Sequence, residues 1–252
     1  TDTVQPKVKG RFAPSPTGRM HLGNVFSALL SWLSAKSQGG TWLLRIEDID
    51  PQRSHREYAE LIMDDIHWLG LDWDEGPYWQ SERGEIYEHY LQQLHERGLT
   101  YPCYCTRADI LATQAPHESD GRVVYKGTCR NLPPGLHAGP AAIRMRVPDE
   151  GEGFVTFSDG HYGTHTVDLT TQCGDFIVRR KDGAWAYQLA VVVDDDVADV
   201  VVVMRLVIVA ALHRDEHPLR RVFALACRHD LEVGEPDLRR GDPVGILLDL
   251  GG

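Results

Sequence analysis

The 252-residue sequence predicts an α/β protein: a nucleotide-binding sheet interrupted by a metal-bearing insertion. Two observations carry that expectation. Residues 7–46 run through a short apolar stretch, a proline- and glycine-rich loop, an amphipathic stretch and a second apolar stretch, the order strand, loop, helix, strand. Three cysteines then fall between positions 103 and 129, inside a polar segment with little else to pack.

Residues 7–12 read as a strand that ends at Pro14 and Pro16, whose rings fix φ and remove a backbone donor. From about position 24, Val25, Leu29, Trp32 and Leu33 share one face of a helix that stops at Gly39-Gly40. Residues 42–46, within "WLLRIED", read as a second strand. In such a unit the first loop lies at the strand's carboxyl end, where a helix N-terminus offers free N–H groups to phosphate. The loop "APSPTGRMHLGN" puts His21 at that N-terminus, and Gly23 removes a side chain where backbone approaches a ligand. It matches neither G-x-x-x-x-G-K-[ST] nor G-x-G-x-x-G. On pattern alone, a plain βα turn with a loop histidine competes evenly with a phosphate site.

Residues 54–70 suit an amphipathic helix, with Ser54 and Glu57 as a capping box and Tyr58, Leu61, Ile62, Ile66 and Leu69 as its stripe. Residues 82–97 suit another, capped by Ser81 and closed by Gly98, with Ile86, Tyr90, Leu91 and Leu94 as core. The segment "CYCTRADILATQAPHESDGRVVYKGTCR" follows. Cys103 and Cys105, on alternate positions of an extended chain, can turn toward one cation, and Cys129 closes the loop. Zinc requires four such ligands in a tetrahedron. On chemistry alone the fourth is open between Tyr125, His117, His137 and water. Cys173 and Cys227 stand as lone structural cysteines. Finally, "DFIVRRKDGAWAYQLAVVVDD" reads as a hairpin turning at Asp182-Gly183 into a buried valine-rich segment.

The net charge of −11, from 37 acidic and 26 basic side chains, argues against a chain coated in nucleic acid. Local patches decide binding, so RNA stays open. The start, "TDTVQPKVKG", lacks the apolar stretch of a secretory signal. The longest apolar run, residues 200–212, is broken by Arg205 and too short for a bilayer, so no membrane partner is expected. Cysteine usage fits a reducing compartment; a cytoplasmic monomer is the expectation.

"RFAPSPTGRMHLGN" resembles the first signature of glutamate-type class I aminoacyl-tRNA synthetases, with His-x-Gly-Asn standing for that family's His-Ile-Gly-His. "LLRIEDIDPQR" is similar to the stretch that follows it there. The Cys-x-Cys…Tyr-x-x-x-Cys pattern resembles the zinc set of glutamyl-queuosine tRNA(Asp) synthetases, and so favours Tyr125 as fourth ligand. The resemblance implies a Rossmann-type class I synthetase catalytic domain with an inserted zinc-bearing subdomain. Residues 7–100 would form its first half, 101–175 the insertion and 176–252 the second half. It implies that His21, Gly23 and Asn24 serve the transferring phosphates of ATP with Mg2+. It assigns Arg11, Phe12, Ala13, Pro14, Ser15, Glu47, Tyr187 and Arg205 to L-glutamate, and a structural zinc to Cys103, Cys105, Tyr125 and Cys129. Glu47 would pair the ligand's ammonium, and Arg11 and Arg205 its two carboxylates, which disfavours glutamine. The implied reaction is ATP-dependent activation of glutamate and transfer to the queuosine base of tRNA(Asp). The alternatives are a truncated glutamyl-tRNA synthetase fragment that charges a tRNA 3′ end, and a non-catalytic zinc-bearing RNA-binding module. After Arg205 the pattern departs: "RLVIVAALHRDEHPLRR" is apolar where the family is polar. No lysine follows Lys181, so the lysine-rich second signature is absent; a fragment or an incomplete ATP site is expected.

Overall fold

The computed structural model describes residues 8–112, 124–133, 135–136, 138–159, 163–198 and 207–210. The first third is two successive βαβ units. Strand β1 (Lys9–Phe12), helix α1 (Leu22–Ser37), strand β2 (Thr41–Ile46), helix α2 (Arg56–Trp68) and strand β3 (Glu75–Trp79) follow in order. They give a parallel sheet of order β1-β2-β3, with Phe12 opposite Leu44 and Ile46 opposite Trp79. β2, the middle strand, is buried from Trp42 to Ile46, which is why it reads as one apolar run rather than an alternation. Trp42, Leu44 and Ile46 pack with Phe12, with Ala28 and Ala35 of α1 and with Ala59, Ile62 and Ile66 of α2.

The two helices differ from their sequence patterns for physical reasons. α1 buries Ala28, Ser31 and Ala35, and leaves Leu22, Phe26, Leu29, Leu30 and Leu33 exposed; of the expected stripe only Val25 and Trp32 are half-buried. The small face wins because the helix lies close on the sheet. A Cβ at Gly10 would sit 3.1 Å from the Ala35 Cβ and 3.2 Å from the Ser31 carbonyl oxygen. α2 begins after His55 with no side-chain cap, so the Ser54–Glu57 box does not form. The chain enters it instead through backbone bonds, Ser54 N–H to Asp50 O (2.9 Å) and His55 N–H to Pro16 O (2.9 Å). Leu69 is exposed beyond its last turn.

A short 3-10 turn (Gln80–Glu82) leads to α3 (Gly84–Glu96), so this helix also starts later than its pattern suggests. Ser81 is not its cap. Its hydroxyl donates to Asp48 Oδ2 (2.6 Å) and its N–H to Asp48 Oδ1 (2.9 Å). Strand β4 (Thr100–Cys103), helix α4 (Arg107–Ala112) and strands β5 (Ala142–Met145), β6 (Phe154–Asp159) and β7 (Gly163–Asp168) come next. Helix α5 (Leu169–Gln172), strand β8 (Phe176–Arg179), helix α6 (Tyr187–Val197) and strand β9 (Val207–Ala210) complete the described elements. β4, β5 and β8 form an antiparallel sheet, and β7, β6 and β9 another, in which the backbone of β9 pairs with β6. The turn at Asp182-Gly183 is present, closed by Arg180 N–H to Ala184 O (2.8 Å), with Gly183 at φ +86°. The valine-rich run after it is a helix rather than a strand. Residues 189–195 are all buried, so this run has no polar face to reveal its period. α6 packs with Tyr87, Leu91 and Leu94 of α3, Met145 of β5 and Val178 of β8. No helix of the described residues is long and apolar enough to cross a membrane.

Candidate active site and metal centre

His21, Gly23 and Asn24 form one unit, the N-terminal cap of α1. The Gly23 N–H donates to His21 Nδ1 (3.1 Å), and the His21 N–H donates to Asn24 Oδ1 (3.1 Å). Because Nδ1 accepts, the ring proton sits on Nε2, which is left as a donor at the positive end of the helix. A Cβ at position 23 would lie 3.0–3.1 Å from the His21 ring, so the glycine keeps the ring where it caps. His21 and Gly23 are exposed and Asn24 is half-buried.

The same loop supplies one wall of a cleft of about 600 Å³, lined by Ser15, Glu47, Asp50, Arg53, Arg180 and Tyr187 among others. Glu47 stands at the end of β2 and is held to the end of β1 by its own N–H, which donates to Pro14 O (3.0 Å). Its carboxylate is buried and accepts from Arg45 Nη2 (3.0 Å). Burial raises the Glu47 pKa above its ordinary value, and Arg45 and Arg11 pull it back only in part. An incoming ammonium would complete the compensation. Burial and the neighbouring Glu47 also raise the Tyr187 pKa, so its hydroxyl keeps its proton and serves as a donor. Arg180 bridges the cleft mouth to Asp50 (3.3 Å).

The first-strand residues divide. Ser15 lines the cleft, whereas Phe12 turns its ring into the core, stacked on Trp42 at a centroid distance of 6.1 Å. Its side chain therefore cannot contact a ligand; the strand's alternation, which puts Arg11 on the opposite face, sends it inward. Pro14 is buried and Ala13 half-buried. Arg205 lies outside the described residues.

Sequence reasoning missed the charged network beneath this cleft. Arg45 is 1% exposed and meets three acids: Asp195 (2.6 Å), Glu47 (3.0 Å) and Asp194 (3.7 Å). Asp195 also takes Arg11 (2.7 Å), and Asp194 takes Gln80, Arg83 and Tyr87. Burial opposes the Arg45 charge, but Asp195, Glu47 and Asp194 outweigh it and hold its pKa above the ordinary value. The available signal was a lone charge inside the apolar run "WLLRI", matched by acids at the end of "VVVDDD".

The cysteine knot assembles at the end of β4. The sulfurs of Cys103, Cys105 and Cys129 lie within 4.8 Å of one another, and Cys105 and Cys129 are 3.5 Å apart. The Tyr125 oxygen is 3.5 Å from both Cys103 Sγ and Cys105 Sγ. A tetrahedral zinc with bonds of about 2.3 Å needs sulfurs about 3.8 Å apart, so three thiolates and a phenol oxygen fit. Burial pushes the Cys105 thiol up to about 11. Burial would raise Cys129 as well, but hydrogen bonds from Tyr125 and the backbone bring it to about 7. Burial raises the Tyr125 pKa, as do its thiol contacts; a bound cation would reverse that. The Arg144 guanidinium lies over the Tyr125 ring, 3.8 Å from its centroid, and favours the same reversal. His117 and His137 lie outside the described residues. Cys173 packs instead against the core around α3 and α6, as a lone structural cysteine does; Cys227 lies outside the described residues.

A buried parallel sheet, a capped helix, a charged cleft and a three-cysteine cluster together point to a class. The model of the catalytic domain of class I tRNA synthetases (E and Q) matches residues 7–207, and the chain belongs to that family. It is 47% identical over 204 residues to a glutamyl-Q tRNA(Asp) synthetase of Burkholderia cenocepacia, covering 80% of this chain and 67% of that one. It is 47% identical over 213 residues to the enzyme of that name in Nitratidesulfovibrio vulgaris, covering 79% and 65%. Among solved structures it resembles a glutamate tRNA ligase of Elizabethkingia meningosepticum, in complex with its amino acid. There the TM-score is 0.66 and the identity 32%, over 77% of this chain and 42% of that one. The chain thus spans about two thirds of the length of these curated relatives and under half of that ligase.

Proposed function

We propose that this chain activates L-glutamate with ATP, forming glutamyl-adenylate and pyrophosphate, and transfers the glutamyl group to the queuosine base of tRNA(Asp). The observation that carries the amino-acid half is the buried Glu47 carboxylate in the cleft lining, linked through Arg45 and Asp195 to Arg11. Glu47 binds the ammonium, Arg11 binds a carboxylate, and Tyr187 donates from the α6 side. Ser15 and the backbone of residues 13 and 14 complete this wall, and Arg205 takes the second carboxylate. His21 Nε2 and the free N–H groups of α1 receive the phosphates, with Gly23 and Asn24 holding the cap in place. ATP arrives with Mg2+, which supplies charge neutralisation on the phosphates when bound. Cys103, Cys105, Tyr125 and Cys129 hold a structural zinc that ties β4 to the loop before β5.

The acceptor rests on the names of the relatives at 47% identity and on the Cys-x-Cys…Tyr-x-x-x-Cys set. The likeness to glutamate tRNA ligases supports the second reading, transfer to a tRNA 3′ end. Labelled-glutamate transfer separates them. Incorporation that requires queuosine in tRNA(Asp) supports the proposal, and incorporation into tRNA(Glu) supports the second reading. A chain that retains RNA binding but shows no glutamate-dependent ATP–pyrophosphate exchange is a binding module, and both readings fall.

A further inference from the structure

We propose that Asp195 is a positioning residue for the glutamate pocket, holding Arg11 at a fixed place relative to Glu47; the inference rests on the assignment of that pocket to glutamate. Asp195 comes from α6, after the insertion, whereas Arg11, Arg45 and Glu47 come from β1, β2 and the end of β2. A single oxygen, Asp195 Oδ1, accepts from Arg11 Nε (2.7 Å) and from Arg45 Nη1 (2.6 Å). Arg45 Nη2 donates in turn to Glu47 Oε1 (3.0 Å). The two groups that would read opposite charges on one ligand are therefore joined through Arg45 and Asp195.

The atom used on Arg11 matters. Anchoring through Nε leaves both terminal nitrogens of Arg11 without a protein partner among the described residues, while fixing the plane of the guanidinium. A planar fork held from behind presents two parallel donors to a carboxylate. Asp195 is 5% exposed and its other oxygen has no hydrogen-bond partner, so its position is set by these two guanidiniums. Its neighbour Asp194 reaches Arg45 only at 3.7 Å, without a hydrogen bond, and makes its hydrogen bonds to Gln80, Arg83 and Tyr87 around the 3-10 turn and α3.

Charge and position predict opposite signs. Removing the negative charge beside Arg11 would, by Coulomb attraction alone, tighten binding of a ligand carboxylate. A neutral amide accepts more weakly than a carboxylate, so it holds the guanidinium less firmly and weakens binding. The test is calorimetric titration of L-glutamate into the chain and its variants, with melting temperatures recorded alongside. Asp195→Asn should weaken glutamate by roughly 10- to 100-fold, while Asp194→Asn should lower the melting temperature and leave glutamate affinity within about threefold. Arg11→Lys keeps the charge but loses the fork, changes a side chain that is only part-buried, and should show a similar loss. In the double variant Asp195→Asn/Arg11→Lys the losses should fall well short of additive, because one acts through the other. A folded Asp195→Asn chain that binds glutamate as tightly as the parent, or more tightly, overturns the inference. So does fully additive behaviour, or an Arg11→Lys chain with unchanged affinity where Asp195→Asn does not fold. A parent chain with no affinity for glutamate overturns the pocket assignment itself, and this inference with it.

Discussion

Replacing Arg45 by methionine removes the one cation that three buried acids share while keeping a side chain of similar length. The Arg45 side chain is 2% exposed, as is that of Asp194, with Glu47 at 4% and Asp195 at 8%. Without it, Glu47 has no direct hydrogen bond from a cation, Asp195 keeps only Arg11, and Asp194 keeps Arg83. Leaving a buried charge uncompensated costs about 3–5 kcal/mol, so the Arg45→Met chain should lose that much at pH 7. The sign with pH follows from the same geometry. Burial already holds the Glu47 pKa above its ordinary value, and losing Arg45, which pulls it down, raises it further in the variant. Folding then takes up protons, so the variant regains stability relative to the parent as pH falls from 7 to 5. Urea unfolding followed by tryptophan fluorescence, with the buried Trp42 as one reporter, measures both. A loss under about 1 kcal/mol at pH 7, or an equal loss at both pH values, would refute the reasoning.

Cys129→Ala should abolish stoichiometric zinc in elemental analysis, and a variant that keeps one zinc per chain removes Cys129 from the ligand set. Glutamate affinity should fall as pH drops through the Glu47 pKa, which burial places above its ordinary value of 4.5. Protonated Glu47 cannot pair an ammonium, whereas the ligand's own side-chain carboxyl, near 4.3, is still ionised there. Glu47→Gln should flatten that profile; a profile identical to the parent's assigns the titration to another group. Gly40→Ala should lower stability by about 2 kcal/mol or more, because its Cβ would fall 2.0 Å from the Val8 carbonyl oxygen and 2.9 Å from that of Ala35, both backbone atoms. An unchanged melting temperature would show that the α1–β2 turn yields freely.

Much of the first βαβ unit was legible because its punctuation is chemical. Pro14, Pro16 and Gly39 stop elements by fixing or freeing φ, and no packing decision alters that. Helix faces were less legible. The largest apolar residues of α1 suggest one stripe, but the approach of Ala35 to Gly10 buries the small ones. β3 escaped notice because "EGPYW" contains both glycine and proline, which usually mark turns, and an edge position tolerates them. The valine run misled through propensity, since β-branched residues favour strands until burial on all sides overrides them. At the site, Glu47 and Tyr187 were reachable from the resemblance, and both line the cleft. Arg45, Asp194 and Asp195 were not, because pairings across 150 and 184 residues leave no local pattern.

The strand pairing around β5 also explains how a cleft can be lined by two distant segments of chain. β4 and β8 both pair with β5, so the chain comes back close to β4 after the 72 residues that separate β4 from β8. At that junction Tyr125 bridges to Gly174, where a Cβ would lie 2.8 Å from the Tyr125 carbonyl oxygen. The next residue, Asp175, is buried and binds Arg130 (3.3 Å) and the Val147 N–H (2.8 Å). The cysteine knot is thus fastened directly before β8, and β8 with its tight turn delivers α6. Adjacent residues on a helix point about 100° apart, so Asp194 and Asp195 reach two different neighbours from one turn. One bonds the 3-10 turn, Arg83 and α3, and the other bonds β1 and β2. Burying both without their guanidinium partners would be costly, so α6 has one well-compensated seat. The same contacts that seat it bring Tyr187, at its first turn, to the cleft beside Glu47.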